Sequence, residues 1–159
     1  MDITFPTKDG TFNFRTAAVM LHGGKVLLMH SSDAPYWYLP GGRVHIGETA
    51  ETALLREMEE EVGLQGFTKR PLWLVQDFFH EVVNDEDYHE MGLYFLLDIA
   101  NTDLLSRGET FERWEGEIHN IFRWVPFEEL EQLFLRPRFL HRQLLENPAE
   151  TLQLFTYTE

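Results

Sequence analysis

The stretch that decides the fold runs from Gly42 to Leu64 and reads GRVHIGETAETALLREMEEEVGL. Its part from Thr49 to Val62 lacks proline and glycine and is rich in good helix formers, so it predicts a helix. Gly63 stands where a helix-ending glycine belongs. One arc of this helix is apolar, and we expect it to face the core: Leu54, Leu55, Met58 and Val62.

The neighbouring arc of the same helix carries three carboxylates. Glu57, Glu60 and Glu61 are spaced i, i+3 and i+4, which places them within roughly 100° of one another. Like charges at this spacing destabilise a helix by roughly 0.2–0.5 kcal/mol per pair, and Arg56 offsets only part of this through Glu60. A solvated acidic face is one explanation. The other is a divalent cation such as Mg²⁺, which prefers oxygen ligands, binds substrate phosphates and activates water for attack on phosphorus.

The whole stretch resembles the Nudix box, G-x5-E-x7-R-E-U-x-E-E-x-G-U, in which U is a bulky apolar residue. All nine specified positions match over 23 residues, which makes the signal highly specific. The flanks agree as well, since Tyr38–Gly42 and Trp124–Leu130 look like the usual entry and exit of the box. The resemblance covers roughly residues 14 to 145. It implies an α/β (α+β) fold, an α/β/α sandwich with a central mixed β-sheet, in a single domain over residues 1–159.

The resemblance also implies a metal site and a set of roles. Family members mostly hydrolyse a nucleoside diphosphate linked to another group X, with Mg²⁺ or Mn²⁺ as cofactor. By position, the implied metal ligands are Glu57, Glu60, Glu61 and the backbone carbonyl of Gly42. Arg56 would orient the glutamates, Glu48 would either stabilise the loop or bind a second metal, and Gly63 would allow the turn after the helix.

The general base and the substrate-binding residues lie partly outside the box. Family members use different bases, some within the box, such as Glu57 or Glu60, and some from a later loop. Among the later acids at positions 112, 115 and 117 we favour Glu117. For substrate, Arg15 is a candidate phosphate ligand, and the aromatic pairs around a predicted hairpin are candidates to stack on a base, Phe79 and His89 among them. The dipeptide His89-Glu90 is a candidate for polar recognition.

Two subfamily tags are absent. Some ADP-ribose enzymes carry a proline about sixteen residues after the box, where this chain has His80. Some dinucleoside-polyphosphate enzymes carry a tyrosine about eighteen residues after it, where this chain has Val82. Neither substrate is therefore favoured by the sequence.

The order of the other elements suggests a mixed sheet with helices packed against it. Two strand-like runs, FRTAAVML and KVLLMH, flank a His22-Gly23-Gly24 hairpin turn. Two long strands, Phe67–His80 and His89–Ile99, follow the box helix. The segment Leu104–Gly116 suggests a polar loop, and Ile118–Val125 a further strand. Two helices are then predicted, over 127–134 and 136–145, with Pro148 beyond the second.

Composition narrows the classes of function. The net charge of −14 disfavours binding to duplex nucleic acid or to an anionic membrane, unless a cation reverses the field locally. The absence of cysteine excludes disulfides, a thiolate nucleophile and the cysteine-dependent isoprenoid diphosphate isomerase reaction known on this fold. No membrane span and no secretory signal are visible, so we expect a cytoplasmic protein.

Three functions remain open. The first is a metal-dependent diphosphohydrolase of a small phosphorylated substrate, a nucleotide or nucleotide derivative. The second is a house-cleaning hydrolase of oxidised or noncanonical nucleoside triphosphates. The third is a non-catalytic nucleotide sensor, which the intact glutamate cluster disfavours. By analogy with the family, a homodimer is also expected.

Overall fold

The computed structural model describes residues 1–146 and 152–159. In chain order the strands are β1 (Thr4–Thr7), β2 (Gly10–Val19), β3 (Leu21–His22), β4 (Lys25–Ser31), β5 (Trp37–Tyr38), β6 (Gly41–Arg43), β7 (Thr68–Glu81), β8 (Glu86–Asp98), β9 (Thr110–Glu115), β10 (Ile118–Pro126) and β11 (Gln153–Thr158). The α-helices are α1 (Ala50–Glu57) and α2 (Leu140–Gln143); the 3₁₀-helices are Leu104–Arg107 and Phe127–Gln132. Within these ranges, no helix is long and apolar enough to cross a membrane.

The strands form two sheets. The first has the order β1-β2-β8-β7-β11, with β6 also paired to β2. It is mixed, because β2–β8 and β7–β11 are parallel while its other pairs are antiparallel. The second has the order β3-β4-β10-β9, with β5 paired to β4, and is antiparallel throughout. The chain passes from the first sheet to the second at Met20, between β2 and β3.

Two apolar cores lie on opposite faces of these strands. Successive residues of β2 alternate between them, as side chains of a strand must: Ala18 belongs to one core, and Ala17 and Val19 belong to the other. The first core contains Leu54 of α1, and the second contains Leu140 of α2. Helices therefore cover both faces, which confirms the predicted α/β/α arrangement with a central mixed sheet.

The box helix begins where the sequence predicts but changes its geometry before it ends. The Thr49 hydroxyl accepts a hydrogen bond from the Thr52 N–H at 3.1 Å and caps the first turn. After Glu57 the chain forms a π-helix, Met58–Val62, and Gly63 ends it in the left-handed conformation with φ 65°. The expected apolar arc is only partly correct. The side chains of Leu54, Met58 and Val62 are buried, whereas Leu55 is 48% exposed.

Several other predictions were wrong or incomplete. The segment predicted as a polar loop, 104–116, contains a 3₁₀-helix and then β9, which forms a hairpin with β10. The FRTAAVML run is divided between the sheets, and only its last residue, Leu21, pairs across the predicted hairpin. The helices predicted over 127–134 and 136–145 are shorter, and β11 was not predicted. Pro148 lies outside the described residues.

The N-terminal cap of the box helix gives a stability prediction. Replacing Thr49 by Ala removes the acceptor for the Thr52 N–H, so we expect a loss of about 1 kcal/mol in the free energy of unfolding. Urea denaturation measures this change. Thr52→Ala is the matched control, because it leaves the Thr49 cap in place and should change stability by less than about 0.5 kcal/mol. Equal losses in the two variants would contradict a capping role for Thr49.

Candidate active site

A cavity of about 520 Å³ brings the box together with the first sheet. Its lining combines Arg15 from β2, the β6 glycines, carboxylates from both parts of the box helix, and the tip of the β7–β8 hairpin. The volume lies within the range usual for small-molecule sites. Among the predicted site residues, those that line it are Arg15, Gly42, Glu57, Glu61 and Phe79.

The four glutamates at the end of the box helix have different surroundings. Glu57 and Glu61 face the cavity, and the Glu61 Oε1 accepts a hydrogen bond from the Gly41 N–H at 2.9 Å. Glu60 does not line the cavity; its side chain is 51% exposed and accepts a hydrogen bond from Arg56 at 3.3 Å. Glu59 points to solvent and binds Gln65. The π-helical turn thus places two of the three predicted carboxylate ligands on the cavity wall.

The close approach of Gly42 to Glu57 depends on the missing side chain of glycine. A Cβ built at position 42 would overlap the carboxylate of Glu57. The carboxylate is the far end of a flexible side chain, so a larger residue at position 42 would displace it without forcing the backbone to move. Glu57 can therefore take this position only because the first specified residue of the box, Gly42, has no side chain.

Arg56 joins the loop to the helix. Its guanidinium donates to both carboxylate oxygens of Glu48, at 2.9 and 3.0 Å, and to the backbone carbonyl of Arg43 at 3.0 Å. It also donates to Glu57 at 2.7 Å. This agrees with the orienting role that the resemblance implies for Arg56. Because Arg56 occupies both oxygens of Glu48, that side chain is held as a loop anchor in this arrangement, the first of its two expected roles.

The pKa of the anchoring carboxylate, Glu48, is shifted in the opposite direction from the pKa values of the two cavity carboxylates, Glu57 and Glu61. Hydrogen bonds from Arg56 lower the pKa of Glu48 to about 2. Burial raises the pKa of Glu61 to about 8, against the Gly41 hydrogen bond, and the charge of Glu57 adds to the rise. Burial also raises the pKa of Glu57, although Arg56 opposes it. Without a bound cation, burial therefore disfavours the charged form of both cavity carboxylates, and a cation held between them would favour it.

This donor set fits a hard divalent cation. The described residues contain no group of three or more His, Asp or Glu arranged as a ready-made metal site. Mg²⁺ does not need one, since it usually binds through one or two carboxylates and substrate phosphates and keeps several waters. Glu57 and Glu61 are two such carboxylates, and Gly42 lines the same cavity beside them.

Arg15 is the cation that faces these acids. Its Nε is fully buried without a hydrogen-bond partner, and no hydrogen bond or ion pair joins its guanidinium to another described residue. Burial opposes its charge, but the fields of Glu90, Tyr94 and Glu61 outweigh burial and raise the pKa of Arg15. A fully buried guanidinium nitrogen without a partner is costly unless a ligand pairs with it, which agrees with the predicted phosphate contact.

The hairpin residues were predicted correctly only in part. Phe79 lines the cavity and stacks on Tyr88, with ring centroids 5.3 Å apart and an interplanar angle of 3°. His89 is one residue further along β8, so strand alternation turns it to the other face. There it contacts the rings of Phe12 and Phe78, at 5.6 and 4.4 Å between centroids, and it does not line the cavity. The assignment of His89 to substrate binding is therefore not supported.

The predicted outside base is also remote from the cavity lining. Glu117 lies exposed in the turn between β9 and β10. Of the three acids considered in this region, Glu115 is the one whose charge acts on Glu61 and helps to raise its pKa. The prediction treated the region as a loop, and the β9 strand that sets these directions was missed.

Two supporting networks were not found from the sequence. Arg107 donates to the carbonyls of Val62 and Gly63, at 2.6 and 2.9 Å, and is held by Asp103 at 2.8 Å, so it binds the end of the π-helical turn. The lysine- or arginine-rich last turn that often marks a helix end is absent. The cation comes instead from 44 residues later in the chain, where no local pattern signals it.

In the second network, the Arg43 Nε donates to the Asn13 side-chain oxygen at 2.8 Å. The Asn13 amide nitrogen donates in turn to the Glu90 Oε2 at 2.6 Å. Asn13, Arg43 and Glu90 all line the cavity. The dipeptide His89-Glu90 suggested polar recognition, and of its two members the structure places Glu90 in the site.

Comparison with known proteins identifies the family. The NUDIX domain model matches residues 12–147. An RNA pyrophosphohydrolase of Halorhodospira halophila is 30% identical over 146 residues, which cover 82% of this chain and 75% of that protein. An ADP-ribose pyrophosphatase of Methanocaldococcus jannaschii is 30% identical over 100 residues, 61% of this chain and 57% of that protein.

A solved structure supports the fold. The MutT protein from Bacillus halodurans superimposes with a TM-score of 0.62 at 19% identity, over 92% of this chain and 90% of that one. The family match includes the entire box and all of the strands except β1, β11 and the first two residues of β2. This chain is a member of the Nudix hydrolase family.

Proposed function

We propose that this protein is a metal-dependent diphosphohydrolase that cleaves the pyrophosphate linkage of a nucleoside diphosphate linked to another group X. One observation carries the proposal: the carboxylates of Glu57 and Glu61 share a cavity with the unpartnered guanidinium of Arg15. The carboxylates suit a cation and the guanidinium suits a phosphate, so a metal-bound diphosphate satisfies both. The relatives are named for different substrates, RNA and ADP-ribose, so membership of the family does not by itself identify the group X.

In this proposal each residue has a defined task. Glu57, Glu61 and the Gly42 carbonyl would hold Mg²⁺ or Mn²⁺, with Glu60 as a further ligand. When bound, such an ion neutralises phosphoryl oxygens and lowers the pKa of water. Arg15 binds the diphosphate, and a box carboxylate accepts the proton of the water that attacks phosphorus as the bridging P–O bond breaks.

Other features belong to the same proposal. Arg56 keeps the metal-binding carboxylates in place, and Phe79 provides an aromatic face for the substrate. A base role for Glu117 remains a prediction. A cytoplasmic location and a homodimer, both expected from the sequence, are also untested parts of it.

Substrate turnover tests the activity directly. Phosphate release is measured for nucleoside triphosphates including oxidised ones, ADP-ribose, dinucleoside polyphosphates, nucleotide sugars, coenzyme A and triphosphorylated RNA, with Mg²⁺, Mn²⁺ or chelator. We expect chelator-sensitive turnover of one class. Preference for oxidised nucleotides would instead assign the protein as a house-cleaning hydrolase of oxidised nucleoside triphosphates. Nucleotide binding in thermal shift without any turnover would instead establish the sensor function.

The glutamates of the box can be compared within one helical turn. Glu61→Gln and Glu60→Gln each remove a proposed ligand charge, so we expect kcat to fall by at least about 100-fold, more than is usual for loss of a supporting residue. Relief of like-charge repulsion should leave the melting temperature unchanged or higher. Glu59→Gln is the matched control, since Glu59 faces solvent beside Gln65. Near-normal turnover at saturating Mg²⁺ in both ligand variants would refute the metal assignment.

Gly42 gives an independent prediction, because its variant alters the site without changing any charge. In Gly42→Ala the new methyl group displaces the Glu57 carboxylate, so we expect kcat/KM to fall by about 10- to 100-fold, as for loss of a supporting residue. Circular dichroism and a thermal melt should still show a folded protein. Full activity in a folded Gly42→Ala protein would show that the position of Glu57 is not critical.

A further inference from the structure

The cavity contains a further hydrogen-bond acceptor that the proposed hydrolysis does not use. Glu90 is 4% exposed and lines the cavity. Its Oε2 accepts the Asn13 amide hydrogen bond at 2.6 Å, while no described residue donates a hydrogen bond to its Oε1. Oε1 is therefore available to a ligand in the cavity that donates a hydrogen bond.

The orientation of this carboxylate is set by its neighbours. An amide side chain can present either its oxygen or its nitrogen, but Arg43 donates to the Asn13 oxygen at 2.8 Å. The Asn13 nitrogen must therefore turn toward Glu90. Because a carboxylate oxygen has two lone pairs, Glu90 keeps Oε1 and part of Oε2 for a ligand. Its open edge is an acceptor pair that matches two adjacent N–H donors.

The surroundings suit a flat ring. Phe79 and Tyr88 lie on the same face of the sheet as Glu90 and line the same cavity. The hydroxyl of Tyr88 is held by the Asn84 amide at 3.0 Å, so the parallel aromatic pair is fixed from outside. Aromatic faces combined with hydrogen bonds to the base edge are the usual means of reading an unpaired base.

Arg15 connects this region to the box. The charges of two acids act on its guanidinium: Glu61, which belongs to the box, and Glu90, which belongs to the β7–β8 hairpin. A ligand whose phosphates bind Arg15 and the metal carboxylates would therefore extend its nucleoside toward Glu90. The cavity, at about 520 Å³, is large enough for a nucleoside diphosphate.

We propose that Glu90, oriented by Asn13 and Arg43, selects nucleotides whose base presents adjacent imino and amino N–H groups, the pattern of guanine. This inference rests on the proposed function and names its substrate class. Hypoxanthine has the same ring and the imino N–H but lacks the amino group. Uracil places carbonyl oxygens beside its N–H, where Glu90 would repel them.

The experiment compares GDP with IDP, which differ only by this amino group. Isothermal titration calorimetry with Mg²⁺ on the unmodified protein should give a Kd for GDP about ten-fold or more below that for IDP, as expected for loss of one partner of a paired contact. In Glu90→Gln the ratio should fall close to one, because the amide presents a donor to the guanine edge. Glu131→Gln, an exposed site with the same charge change, should keep the preference.

The outcomes separate this inference from the hydrolase proposal. Equal Kd values for GDP and IDP, no GDP binding at millimolar concentration, or an unchanged ratio in Glu90→Gln would each overturn the guanine assignment. If chelator-sensitive turnover is nevertheless found for another substrate, the hydrolase proposal stands. If GDP is preferred through Glu90 but no substrate is hydrolysed, the base site stands and the hydrolase proposal fails.

Discussion

Arg56 holds the box loop against the box helix, and the rest of the site depends on this contact. One guanidinium binds Glu48 at the end of the loop, the Arg43 carbonyl at its start, and Glu57 on the helix. Such paired, charge-assisted hydrogen bonds are stronger and more directional than neutral ones. Arg56 is largely shielded from solvent, so the contact is screened less than an exposed ion pair would be. A lysine at this position has no planar group with which to make the same set of bonds.

The loop held in this way forms β6, and its pairing with β2 carries the box geometry into the first sheet. Gly42 lies opposite Thr16, and Arg43 lies opposite Arg15 in the antiparallel register. The same register brings the glycine backbone against Glu57 and Glu61. The phosphate-binding candidate and the metal-binding candidates thus face one cavity, although they lie more than forty residues apart in the chain.

The net charge of the whole chain affects which ligands the site can bind. A protein of net charge −14 repels phosphates over most of its surface. Its cavity adds buried acids, and Arg15 balances only part of them. In the proposed function, a divalent cation held by Glu57 and Glu61 would reverse the field where the diphosphate binds. In the proposed base site, Glu90 would face the part of the ligand that carries no phosphate.

The sequence by itself determined the family, the box helix and the chemistry of its acidic face. These features depend on local spacing, on helical periodicity and on a glycine that tolerates φ 65° at Gly63. Arg15 and Phe79, which were predicted from the sequence as substrate-binding residues, both line the cavity. The sequence did not give the direction of neighbouring side chains: the alternation of β8 turns Tyr88 and Glu90 toward the cavity and His89 away from it, and Glu117 lies in the turn after β9 and does not line the cavity.

Only the tertiary structure decided which carboxylates share the cavity. The π-helical turn directs Glu61 inward and leaves Glu60 exposed, and nothing in a spacing of three and four residues distinguishes the two. Likewise, Arg107 reaches the helix end from 44 residues away, and Asn13 orients Glu90 across 77 residues. The physical reason is that hydrogen bonds of this kind depend on strand register and on which face each side chain takes. Both are set by the packing of two sheets and two helices, which local periodicity does not encode.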